Sequence, residues 1–174
     1  MVITRYKTQH KLINAFNPNS QTFYLENVDK AYTDESVPTL KVVDMTFGNG
    51  TASYWLVGQL GNLSEFCGCK DKLTDSQIAN LANIIASQYK HLRMSELMLF
   101  FARFKGGHYG EFYGNVDPIK ITSGLRSFMN ERNCALQRIH AQEGTAKAVQ
   151  QFEESLRGKT ALEAYKAAHQ AKFV

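Results

Sequence analysis

A chain of 174 residues that is 44% apolar is long enough for one domain with a sizeable core. Its net charge of +4 is lower than dedicated nucleic-acid domains usually carry, and it has no run of eighteen apolar residues for a membrane helix. Three cysteines make an odd count, and Cys67-Gly68-Cys69 has the spacing of neither an ordinary disulfide nor a zinc knuckle, so idle thiols in a reducing cytoplasm are expected.

The chain opens without an apolar stretch behind Arg5 and Lys7, so no signal peptide is expected. Residues 1–22 are polar with little periodicity and read as an arm, with Leu12, Ile13 and Phe16 available to dock it. Leu25, Val28 and Tyr32 space a short helix between Phe23 and Asp34. After Pro38, the apolar residues up to Phe47 suit a helix and a strand equally, and Gly48-Asn49-Gly50 ends the segment. Thr51 is placed to cap a helix carrying Tyr54, Trp55, Val57, Leu60, Leu63 and Phe66. Gly58 and Gly61 weaken it by about 1 kcal/mol each.

Thr74-Asp75-Ser76-Gln77 is a capping box, followed by the stripe Ile78, Leu81, Ile85, Tyr89 and Leu92. Ser95 is a further N-cap candidate, and Glu96 suits the first turn of the next helix. Leu97 to Phe101 and Phe104 make that helix apolar on nearly every face, which predicts a central place in the core. Asp117-Pro118 then opens another helix with the stripe Ile121, Leu125, Phe128, Arg132, Ala135 and Ile139. Gly144 is expected to break it. Two amphipathic pieces split by Gly158 follow, one with Val149, Phe152 and Leu156, the other with Leu162, Tyr165 and Phe173.

No phosphate-binding glycine loop of either common nucleotide type occurs, and no two histidines stand at metal-binding helical spacing. Ser87-Gln88-Tyr89-Lys90 fits an S-x-x-K pattern inside an ordinary amphipathic helix, without its companion motifs. Glu96, Glu111 and Asp117 are too scattered for an acid–base pair. No catalytic residue, metal site or cofactor is expected.

What remains is the loop at 103–117. It combines Arg103, Lys105 and His108 with Tyr109, Phe112 and Tyr113 between glycines. Residues 74–140 hold eight cations against five anions, so the positive excess gathers around it. Cations that track phosphates and rings that stack on bases suit single-stranded nucleic acid. The same rings turned inward would make the loop purely structural. Exposure of Tyr109, Phe112 and Tyr113 separates the two. Lys120, Arg126, Arg132 and Arg138 recur every six residues and so form no basic stripe, which confines any nucleic-acid contact to the loop and its flanks.

Residues 60–133 resemble a family of small uncharacterised proteins of gut Bacteroidales, their phages and mobile elements. The resemblance rests on Leu73 to Ile78, on Leu97 to Lys105, on Tyr109 to Pro118 and on Leu125 to Phe128, around a core pattern FFxRFKxGxYGxFYGxxDP. It implies a role associated with replication and leaves the N-terminal third and the tail uncovered.

The expectation is an all-α protein of five to seven helices: an arm at 1–22, a helical core at 23–140 and an amphipathic helical tail at 141–174. The leading function is a non-enzymatic accessory protein touching single-stranded nucleic acid through Arg103, Lys105, His108, Tyr109, Phe112 and Tyr113. The alternative is a protein-interaction or virion component whose C-terminal helices dock on a partner. Host cytoplasm or virion is the expected location, with no membrane contact.

Overall fold

The computed structural model describes residues 2–170, and among these the chain is all-helical. In chain order the helices are α1 (Val2–Tyr6), α2 (Gln9–Ala15), α3 (Thr22–Glu26), α4 (Val28–Thr33), α5 (Leu40–Phe47), α6 (Thr51–Phe66), α7 (Asp75–Gln88), α8 (Met94–Lys105) and α9 (Pro118–Gln170). Nine helices among the described residues exceed the five to seven expected because residues 2–33 contribute four short ones. Two compact units result, residues 1–132 and 133–174.

In the first unit the N-terminal residues are tied down rather than trailing. Thr8 caps α2 by accepting from the Lys11 amide at 3.3 Å. The Phe16 carbonyl accepts from Trp55 Nε1 at 2.8 Å and from Gln59 Nε2 at 2.9 Å, both on α6. Gln21 Nε2 adds a buried bond to Gln59 Oε1 at 2.6 Å. Leu12 and Phe16 are buried with them. Helices this short are unstable alone, so tertiary packing holds them. The sequence showed no period because each is at most two turns long.

Residues 40–47 settle as helix. Thr39 accepts from the Val42 amide and starts α5, and Asp44 Oδ1 accepts from the Ala52 amide at 2.8 Å across the turn to α6. That turn needs Gly48 and Gly50, whose φ angles are +108° and +91°. Gly50, not Thr51, occupies the N-cap of α6. The Thr74–Gln77 capping box on α7 forms in both directions.

Helix α8 runs through the middle of this unit, with α3, α4 and α6 packed on it. Every residue from Met94 to Ala102 is buried, as the sequence pattern required. It starts at Met94 with Arg93 as its N-cap, so Ser95 lies inside the helix and donates to the Ala31 carbonyl at 2.8 Å. Glu96 is fully buried; one oxygen accepts from the Arg93 amide at 2.6 Å and the other from Arg132 Nε on α9 at 2.5 Å.

In the second unit α9 continues without a break through Gly144 and Gly158. The surrounding alanine, glutamate, glutamine and lysine residues are strong helix formers and offset the roughly 1 kcal/mol each glycine costs. Val149, Phe152, Leu156, Leu162 and Tyr165 are exposed along it, and Phe173 lies outside the described residues.

Candidate nucleic-acid interface

The loop leaves α8 with its last amides still satisfied. The Gly107 amide donates to the Phe104 carbonyl, and that of His108 to the Arg103 carbonyl, each at 3.0 Å. Gly107, Gly110 and Gly114 all have positive φ, at 78°, 89° and 79°. The chain then runs beside the α6–α7 connection: the Asp71 amide donates to the Gly114 carbonyl at 3.2 Å, and the Val116 amide donates back to the Asp71 carbonyl at 2.9 Å. Asp117 Oδ1 accepts from the Ile119 amide at 2.7 Å at the start of α9.

The six residues singled out from sequence fall into two groups. Arg103, His108 and Tyr109 converge on Glu131 of α9. Arg103 Nη1 lies 2.8 Å from Glu131 Oε2, His108 Nε2 lies 3.3 Å from Oε1, and the Tyr109 hydroxyl donates to Oε2 at 3.2 Å. Arg103 also donates to the Tyr32 hydroxyl at 3.4 Å. The Tyr109 ring packs on Phe100 and Phe104, at 5.4 and 5.8 Å between centroids. Burial, then the nearby Glu131 charge, raise the Tyr109 pKa above the ordinary tyrosine range. Burial opposes the Arg103 charge, and Tyr32, Tyr109 and Glu131 more than offset it, leaving its pKa raised. This group clamps the loop to α9.

Of the other three, Lys105 and Phe112 line a cleft of about 280 Å³ together with Phe66, Cys67, Phe104, Gly107, Gly110 and Glu111, and Tyr113 lies outside that lining. Lys105 Nζ donates to Asn62 Oδ1 and sits 5.4 Å from the centroid of the Phe66 ring. Burial lowers its pKa below the ordinary lysine value. Phe112 is half-buried, stacked on Phe104 at 5.4 Å. Tyr113 is 81% exposed. Lys120 of α9 sits 5.6 Å from the Phe112 ring and 5.7 Å from that of Tyr113, and it donates to the Glu111 carbonyl. Of the three diagnostic rings, then, Tyr109 and Phe112 are packed in part and Tyr113 projects.

Sequence reasoning missed Glu131, Phe66 and Lys120 as parts of this arrangement. Phe66 closes the set at helical spacing on α6, and as the last residue of that helix it is 61% exposed. Lys120 lies in the first turn of α9, directly after the loop, and α9 then runs against Phe104 and Tyr109. Gly124 marks that approach, since a Cβ there would lie 2.8 Å from the Phe104 ring and 3.1 Å from Tyr109 Cβ.

Among the described residues, no group of three or more His, Cys, Asp and Glu side chains is placed to hold a metal. No helix among them is long and apolar enough to cross a membrane. Residues 72–172, more than half of the chain, match the profile of a family described as a family of unknown function (DUF6633). No curated protein and no solved structure gives a significant match.

Proposed function

The chain belongs to the DUF6633 family, and we propose that it is a non-enzymatic accessory protein that binds single-stranded nucleic acid at the Lys105–Lys120 face. The observation that carries this reading is the pairing of ammonium groups with accessible rings around one cleft: Lys105 with Phe66, and Lys120 with Phe112 and Tyr113. Lysines supply phosphate contacts and rings supply stacking that tolerates any base. Arg103, His108 and Tyr109 serve by holding the loop in shape through Glu131. The resemblance to proteins of Bacteroidales phages and mobile elements supports a setting in replication or genome handling.

Fluorescence anisotropy with a labelled single strand tests this. Tyr113→Ala removes a highly exposed ring and is expected to weaken binding by about 1–3 kcal/mol, the usual worth of one stacked base. Unchanged affinity in this variant would count against the rings.

A second reading keeps the loop structural and assigns binding to α9. Val149, Phe152 and Leu156 are exposed at i, i+3 and i+7, one helical face. On that reading Phe152→Glu abolishes capture of a protein partner, and Tyr113→Ala leaves it intact.

A further inference from the structure

Glu111 does not fit a surface that binds phosphates alone. Glu111 lines the same cleft as Lys105, and no ion pair engages its carboxylate among the described residues. Lys120 bonds the Glu111 backbone carbonyl, not its carboxylate. A carboxylate repels the phosphate backbone, whereas it accepts hydrogen bonds from a base edge that donates them.

Building on the single-strand reading, we propose that Glu111 makes the cleft selective for guanine. Guanine alone among the bases presents two adjacent donors, its ring N–H and its amino group, matching the two oxygens of a carboxylate. Cytosine and adenine offer an amino group beside an acceptor, and thymine a single N–H between two acceptors. The remaining walls suit a flat ring. Phe66, Phe104 and Phe112 give apolar surface, Gly107 and Gly110 keep the backbone side free of Cβ atoms, and Lys105 stands ready for the adjoining phosphate. A cleft of about 280 Å³ falls just below the roughly 300–1,000 Å³ of drug-sized pockets. It therefore takes one base, and the flanking nucleotides lie outside, near Tyr113 and Lys120.

The test is an anisotropy titration of the full chain, at about 50 mM salt, with three labelled strands. One is all thymine, one carries two central guanines, and one carries hypoxanthine there instead, which lacks the amino group. The wild type is expected to bind the guanine strand about tenfold tighter than the thymine strand, with the hypoxanthine strand between. Glu111→Gln is expected to bring that ratio to within about twofold. Guanine and thymine strands bound alike by the wild type, or a preference surviving Glu111→Gln, would overturn the base selectivity while leaving single-strand binding intact. Failure of the wild type to bind any strand would sink both.

Discussion

At the scale of residues, two carboxylates, Glu96 on α8 and Glu131 on α9, carry different loads. Glu96 is out of contact with water and faces Arg132, so truncating it strands a charge in the core. Glu96→Ala is expected to lower the unfolding free energy by about 3 kcal/mol in a denaturant titration, the low end for breaking a buried pair because Arg132 keeps some access to solvent. Glu131 is partly exposed and gathers Arg103, His108 and Tyr109. Glu131→Gln is expected to cost about 1–2 kcal/mol and to raise protease sensitivity of residues 106–117 before the rest of the chain. Equal sensitivity of loop and core would contradict the clamp. The sequence did present Glu96 as a first-turn acid suited to the helix dipole. Nothing local pointed to Glu131, because its three partners lie 22 to 28 positions away in the chain.

At the scale of elements, the glycines sort by what a methyl group would meet. Gly58 and Gly61 stand in a helix with open space beside them, so Gly58→Ala is expected to stabilise by about 1 kcal/mol. Gly124 is helical too, yet its Cβ would press on Phe104 and Tyr109. Gly124→Ala is expected to destabilise by about 1–3 kcal/mol, with thermal melts separating the two. Where an element was long and strongly patterned, the sequence was readable: α7 starts at its expected capping box, and the largely apolar α8 lies in the core as expected, although it starts ahead of Ser95. It was unreadable where tertiary contacts decide. The helices of residues 2–33 are too short to show a period, and the unbroken course of α9 reflects its neighbours' propensities outweighing two glycines. The loop's position was legible in its glycines, whereas the direction of each ring depended on packing against α9.

At the scale of the whole molecule, four tyrosines couple stability to alkaline pH. Burial pushes Tyr24 up to about 12 and moves Tyr6, Tyr32 and Tyr109 the same way. An unfolded chain releases these protons near pH 10; the folded chain still holds them there, so the unfolded state is favoured as pH rises. Stability is therefore full below about pH 10 and declines as pH climbs towards the folded values. Lys105, with its lowered value, pulls weakly the other way. Tyr109→Phe should flatten the decline between pH 10 and 12 in denaturant titrations; an unchanged slope would show that its environment is wet.

Most of what is proposed for function rests on two ammonium groups, and salt reports on them directly. The decisive measurement is the affinity of the full chain for a labelled single strand across a salt series, for the wild type and for Lys105→Ala with Lys120→Ala. The wild type is expected to bind at about 50 mM salt and to weaken linearly in log–log form, and the double variant to lose about 1.4 from the magnitude of that slope, or about 0.7 per phosphate contact on a single strand. No binding by the wild type at low salt, or a slope the double variant leaves unchanged, would contradict the account.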